Sequence, residues 1–437
     1  MNIGLKIFNL AKKLWPLNRS ITGEGTRETL RSLKKICPEL KIKDVKSGKK
    51  VFDWVIPKEW KVYDAYIITP DGKKICDFKK NNLHLVNYSV GVKKILKLKN
   101  LKKKLFSIPK IPEAIPYKTS YYNKDWGFCI SHNDKKKLKN GNYKIEINAK
   151  HFNGKLSYGE IKIKGKSKKE IFLSTYICHP SMANNELSGP CVLIYLAHWI
   201  KSLKNKKLSY RIIFVPETIG SIAYLHENYK EMKKNIIAGY NISCVGDDRI
   251  VSYLPSRKGN TLSDRTAIRV LKKIYSKYKK YSWLDRGSDE RQYCSPGIDL
   301  PIASIMRSKY GEYPEYHTSM DNLKKVVSAK GLKKSFEIYK TIVQSLENNI
   351  YLKATNLCEP NLGKRNLYEK IGGITKFEKN INKNYTSKLI LNVLSFSDGK
   401  HSLSDISAIC GITLFSLNKI IKLLKKYKLV QVTEYPL

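Results

Sequence analysis

The stretch EIFLSTYICHPSMANNELSG, residues 170–189, reads as three pieces in a row. Residues 170–178 are an apolar run without alternation, which is what a strand covered on both faces requires. A polar loop follows, and a helix begins near Ser188. Working outward, residues 209–216 (SYRIIFVP), 236–245 (IIAGYNISCV) and 300–306 (LPIASIM) repeat the buried-strand pattern. Helical spacing fits residues 189–202, 221–230, 262–279 and 323–348. Strands alternating with helices predict an α/β fold, a mostly parallel sheet sandwiched by helices. In such sheets ligands lie beyond the carboxyl ends of the strands. The unusual polar residues of this chain follow strand ends.

The flanks have other grammars. Residues 1–45 read as helical, with Ile7, Leu10 and Leu14 on one face and a second helix over 27–37 after Thr22-Gly23-Glu24-Gly25. Residues 48–150 hold short alternating segments (60–68, 142–147) broken by Pro70-Asp71-Gly72 and Asn140-Gly141 turns, which predicts a small, mostly β inserted domain. Residues 1–47 and 151–355 then form one discontinuous domain. Beyond the link Glu359-Pro360-Asn361, residues 360–437 predict a winged helix: helices over 387–394, 402–410 and 414–426, then a strand over 429–432.

The chain of 437 residues carries 83 Lys+Arg against 37 Asp+Glu, a formal net charge of +46. A nucleic-acid partner is the obvious reading, but only 12 of the 83 are Arg, leaving 71 Lys. Base and phosphate readers lean on the arginine fork. Helix 414–426 has no Arg, and Asn418 is its one good base reader. The charge therefore reads as solvated lysine surface, and nucleic acid is not expected as a partner. No apolar run reaches the ~18 residues of a membrane span, so no membrane partner is expected either. Nine Cys without a CxxC pair predict reduced thiols and a cytoplasmic setting. Residues 1–14 lack the apolar core and cleavage site of a signal peptide. A homo-oligomer stays among the partners the sequence allows. The inserted domain's aromatic residues (Trp54, Trp60, Tyr63, Tyr66, Tyr88, Tyr121, Tyr122, Trp126) predict core or interface, with sugar stacking as the sharper alternative.

The scarce arginines matter more, because Arg19, Arg27, Arg249, Arg257, Arg286, Arg291 and Arg307 fall in or near the motifs that follow, and Arg249, Arg257, Arg286 and Arg291 lie after strand ends. His179 follows the first buried strand, as a metal ligand or a hydrogen-bonded loop histidine. Glu217 follows the second, as a general base or a helix-capping acid. Asp247 and Asp248 follow the third, to bind a cation or cap a loop. Asp289, Glu290 and Arg291 lie in a dense charged run, and Tyr316-His317-Thr318 precedes the last long helix.

In that order, residues 155–350 resemble the zinc aminopeptidases of the co-catalytic exopeptidase class. The whole chain looks like a bacterial aminopeptidase-like family with an inserted small domain and a C-terminal winged helix. The phrases that carry the likeness are Trp15 to Gly23 (WPLNRSITG), His179 to Gly189, Gly287 to Arg291 (GSDER) and Pro314 to Thr318 (PEYHT). The resemblance implies a metal-dependent hydrolase cleaving an amide bond, with zinc held by His179 and His317 and Glu217 as general base. It also implies a setting among polysaccharide-biosynthesis genes. The chain departs from the class at four places. Ser181 stands for the Asp of His-x-Asp. Asn185 stands for the bridging Asp, Thr218 for the second Glu, and a position near Ser243 for the later Asp ligand. One zinc ion rather than two is therefore expected, since one zinc with three protein ligands suffices to acidify a water. The third ligand is a carboxylate, Glu186 ahead of Asp247 and Asp248. Asn185, Arg249, Arg257, Asp289, Glu290, Arg291 and Tyr316 are the candidate substrate contacts. Together the arginines hint at an anionic small molecule as readily as a small peptide. The alternative function is a catalytically altered peptidase-fold protein that binds or modifies an anionic small molecule or glycan precursor. A DNA-binding regulator comes third.

Overall fold

The structure, a computed structural model, describes residues 2–368 and 387–436. The chain divides into two units, Met1–Asn205 with Ser209–Ile342, and Lys206–Leu208 with Val343–Leu437. The first is built on an eight-stranded sheet. Its strands are β1 (Lys41–Lys46), β2 (Lys155–Ile163), β3 (Glu170–Tyr176), β4 (Ser209–Val215), β5 (Ile236–Asn241), β6 (Ser252–Leu254), β7 (Lys279–Lys280) and β8 (Ile302–Met306). They lie in the order β1-β2-β4-β3-β5-β8-β6-β7. The four strands expected from the apolar runs are the four central ones, β4-β3-β5-β8, and all are parallel. Every residue of β3 is buried, as an unbroken apolar run demands.

The sheet is mixed at its edges. Antiparallel β2 flanks β4, and antiparallel β6 flanks β8. These strands carry Lys, Ser and Tyr among their apolar residues, so they gave no uniform run to read. The helix expected over 262–279 stops at Ile274, and Lys279–Lys280 pairs with β6 instead. The last long helix is Ala329–Glu347, starting later than the expected 323. Helix Ser188–Ser202 begins against the ends of β3 and β5. A Cβ on Gly189 would stand 2.4 Å from Thr175 Oγ1 and 2.5 Å from the Ile242 carbonyl oxygen, so glycine permits that approach.

Within 48–150, strands Lys74–Ile75, Glu59–Ile68, Asn142–Phe152 and Val92–Lys97 form an antiparallel sheet in that order. Its core residues Ile67, Tyr143 and Ile147 belong to one hydrophobic cluster with Phe172 and Ile213 of the large sheet. Trp60 stacks on Tyr88 at 5.5 Å between centroids, so those two aromatics are core. Trp54, Tyr63 and Tyr122 are exposed.

The second unit has a three-stranded sheet, Asp398–Ser402, Tyr351–Ala354 and Val430–Thr433, around helices Ser387–Ser395, Leu403–Ile409 and Leu414–Lys426. It takes in Tyr351–Ala354, so the boundary falls before the expected residue 355. The last two helices meet at 109°, the angle of a helix-turn-helix. Leu417, Ile420, Ile421 and Leu424 face the core, while Asn418, Lys419, Lys422 and Lys425 are exposed. Among the described residues no single helix is long and apolar enough to cross a membrane.

Candidate functional site

Past the end of β3 the chain turns through Cys178 and His179, and the fully buried Glu186 organises that turn. Glu186 Oε2 accepts from the backbone N–H of His179 at 2.7 Å and from that of Cys178. It also lies 3.2 Å from His179 Nδ1. Glu186 Oε1 accepts from Arg19 Nε at 2.8 Å. Arg19, equally buried, donates from Nε to the His179 carbonyl at 3.0 Å and from Nη1 to the Leu14 carbonyl at 2.6 Å. The N-terminal phrase WPLNRSITG thus supplies a guanidinium that grips the histidine loop.

This pairing sets the histidine's chemistry. In the tautomer that gives its Nδ1 proton to Glu186, Nε2 is free to bind a metal ion, and it faces Glu217 Oε2 at 3.7 Å. Burial alone would lower the His179 pKa. The hydrogen bond to Glu186 and the charges of Glu217 and Glu186 outweigh it, so the net shift is upward.

His317 arrives from the other side. Its ring stacks on Tyr316 at 3.9 Å and lies 5.3 Å from the His179 ring. Its Nε2 is buried with no hydrogen-bond partner. Burial, with a smaller contribution from the neighbouring His179, pushes its pKa down to about 3, so the ring stays neutral. Tyr117, from the inserted segment, closes over both rings at 5.2 Å from each. Its backbone N–H donates to the His317 carbonyl at 2.8 Å.

Glu217 follows β4. Its Oε1 accepts from Ser288 Oγ at 2.8 Å. The next residue, Thr218, has φ 63° and ψ −75°, and the Ile219 N–H closes a 2.8 Å bond back to the Glu217 carbonyl. That is a γ-turn of the rare, strained hand, on a β-branched residue. Asp289 Oδ1 fixes it by accepting from the Thr218 N–H at 2.7 Å, and Arg291 Nη2 donates to Thr218 Oγ1 at 3.0 Å. Ser181, Cys244 and His317 also have positive φ (46°, 51° and 55°), so backbone strain gathers on the loops around the histidines. Burial raises the Glu217 pKa against the opposing pull of His179, Ser288 and Arg291. Burial and the charge of Glu217 lift Asp289 to about 8.

The other expected site residues are placed differently. Glu186 cannot serve as the third metal ligand beside His179 Nε2, because both its oxygens are taken by Arg19, two backbone N–H groups and His179 Nδ1. Asp247 accepts from Asn184 Nδ2 (3.1 Å), Arg249 N (2.9 Å) and Ser308 N (2.8 Å), so it holds loops together. Asp248 is exposed and bonds Ser328 Oγ. Arg249 forms a forked pair with Glu315 at 2.7 and 2.8 Å, and Arg257 pairs with Asp299 at 2.6 Å. Glu290 accepts from the Gly287 and Ser288 N–H groups at 2.9 Å, from Tyr310 at 2.5 Å and from Asn241 at 3.0 Å, which spends its carboxylate on the turn. Arg286 lies over the Trp283 ring at 5.0 Å. Asn185 Oδ1 accepts from the Tyr176 hydroxyl.

Sequence reasoning missed Tyr117, Tyr176, Ser288 and Asp321 as site residues. Asp321 accepts from the Asn184 and Asn185 N–H groups at 2.7 and 2.9 Å and so shapes the loop before Glu186. It stands four residues after His317, just beyond the phrase Pro314 to Thr318, and that closeness was the available signal.

Among the described residues, His179 Nε2 and His317 Nε2 are imidazole nitrogens open to a metal ion, and Glu217 Oε2 stands 3.7 Å from the first, placed to act on a water rather than to hold the ion. Two imidazole nitrogens fit zinc, and the orphaned His317 Nε2 is a buried polar atom in need of a partner. Ligand atoms of Cys178, His179 and Glu186 also lie within 4.8 Å of one another. There, however, the carboxylate is saturated, and burial holds the thiol well above its usual range, so it stays protonated.

Sheet, strand-end loops and histidine pair together define an α/β protein of the aminopeptidase-like class. The chain belongs to the family described as a domain of unknown function, DUF4910, whose model matches residues 8–349, and a winged helix-turn-helix model matches residues 349–432. A Clostridium acetobutylicum protein, named for polysaccharide biosynthesis and an aminopeptidase-like domain, is 43% identical over 94% of this chain and 92% of its own length. A crystal structure from the same organism, named as a peptidase, matches 98% of this chain and 96% of its own with TM-score 0.82 and 40% identity. A Bacillus subtilis zinc aminopeptidase shares the fold at TM-score 0.57 and 13% identity, covering 78% of this chain and 94% of its own.

Proposed function

We propose that the protein is a metal-dependent amide hydrolase working with one metal ion, held by His179 and His317, whose rings lie 5.3 Å apart, with Glu217 beside them as the base. The observation that carries this reading is the pair of imidazole nitrogens beside a carboxylate, 3.7 Å from His179, while Glu186, Asp247 and Glu290 are taken up by loop hydrogen bonds. A bound zinc ion supplies Lewis acidity. The chain's own residues do the rest. Glu186 fixes the His179 ring and makes its nitrogen more basic. Ser288 holds Glu217 Oε1 so that Oε2 accepts a proton from the attacking water and returns it to the leaving amine. Tyr117, Tyr176 and Tyr316 wall the histidines and thin out solvent. The single-ion reading is supported by Asn185, Thr218 and Ser243, uncharged residues where the zinc aminopeptidases this chain resembles carry carboxylates.

Elemental analysis of the wild type, His179→Ala and His317→Ala tests the metal. About one zinc per chain in the wild type and a loss of most of it in both variants is the expected result. Equal zinc in all three removes the reading. A second reading, binding or modification of a glycan precursor without peptide hydrolysis, is favoured by the same three substitutions and by the name of the Clostridium relative. Zinc-loaded protein that binds N-acylated amino sugars saturably but leaves aminoacyl anilides and dipeptides intact would select it.

A further inference from the structure

We propose that the protein carries a second binding site, apart from the histidine pair, that takes a phosphoryl-type oxyanion. The site is a cleft of about 450 Å³ lined by Arg307, Lys277, Lys334, Tyr278 and Asp248. Arg307 directly follows β8 and is 3% exposed. The other two buried arginines of the described chain each have carboxylates: Arg19 pairs with Glu186, and Arg211 with Glu170 and Glu231. Arg307 has none within ion-pair distance among the described residues. Its Nε donates to the Asp247 carbonyl at 2.7 Å, and its Nη1 is buried without a partner. A buried charge without a counter-ion is costly, and such groups are normally paired. The Tyr278 hydroxyl is likewise buried and unpartnered.

The surrounding charge has the same sign. Lys277 and Lys334 enter no ion pair among the described residues, whereas Arg249 and Lys279, also on the cleft, are committed to Glu315 and Glu312. The one acid on the lining, Asp248, is tied to Ser328 Oγ. Two lysines without ion pairs therefore line the cleft with Arg307 and Tyr278, whose buried unpartnered Nη1 and hydroxyl lie at its wall, against a single carboxylate. That excess suits a multiply charged oxyanion better than a lone carboxylate, and the guanidinium fork matches phosphate geometry. The cleft borders the loops of the histidine pair, because Asp247 also accepts from Asn184 and Arg249 clamps Glu315, two residues before His317. A phosphoryl group on a substrate and free phosphate present the same chemistry here.

Titration calorimetry of the full chain with inorganic phosphate, at constant ionic strength in chloride, tests the site. Because Arg307 also anchors Asp247, the two lysines carry the test. Saturable one-to-one binding is expected in the wild type and in His179→Ala, weakened at least ten-fold in Lys277→Ala/Lys334→Ala. Absence of saturable heat in the wild type overturns the proposal. So does binding lost in His179→Ala but kept in the lysine double variant, which would put phosphate at the histidine pair. A hexose phosphate that binds at least ten-fold tighter than inorganic phosphate identifies a substrate group, and equal affinities identify the free anion; either supports the site.

Discussion

Glu217→Gln is expected to cut amide turnover by roughly 10²- to 10⁴-fold while leaving the zinc content near that of the wild type. The amide is nearly isosteric, so its oxygen still accepts from Ser288, as Glu217 Oε1 does at 2.8 Å. What the variant loses is the oxygen that takes a proton. Position argues for that role. Glu217 stands at the carboxyl end of β4, is held by the γ-turn at Thr218, and faces the free nitrogen of His179. Burial lifts its pKa, bringing the proton nearer to exchange at neutral pH than on an exposed Glu. Steady-state turnover measured beside metal analysis is the check. If zinc falls together with activity, Glu217 is a metal ligand and not the base.

Arg19→Met is expected to cost about 3–5 kcal/mol of folding stability, since it leaves Glu186 ionised, buried and unpaired. Arg19 and Glu186 are both 0% exposed, so water cannot make up the loss. The damage reaches the metal, because Glu186 sets the ring of His179. In the double variant Arg19→Met/Glu186→Gln no charge is stranded, and the Gln oxygen can still accept a loop N–H. Most of the stability is expected to return, but zinc affinity stays about 10- to 100-fold below wild type, because a neutral amide no longer supports the imidazole. Chemical denaturation with competitive zinc titration separates the two effects. Wild-type zinc affinity in the double variant would show that Glu186 serves folding alone.

The centre of the fold was legible because buried parallel strands leave unbroken apolar runs, and residues 170–178, 209–216, 236–245 and 300–306 supplied four. β2 and β6 were not, because mixed lysine, serine and tyrosine patterns carry no uniform hydrophobicity. Within the site, His179, Glu217 and His317 stood out because polar residues straight after buried strands, or in loops before a long helix, have few structural uses. The acids were harder. Glu186, Asp247 and Glu290 share one residue chemistry with a metal ligand, and only the hydrogen bonds each receives show that they hold loops. Arg19 lies 160 residues from the His179 carbonyl it binds, and sequence spacing does not encode such a contact. Tyr117 was hidden for a similar reason, since only folding brings the inserted segment onto the histidine rings.

A zinc-edge anomalous diffraction map of the zinc-loaded protein tests the central claim most directly. A single peak is predicted, within bonding distance of His179 Nε2 and His317 Nε2 and beside Glu217. Two peaks bridged at Asn185, or a peak at Cys178 and Glu186 with the His317 nitrogen left bare, would contradict it.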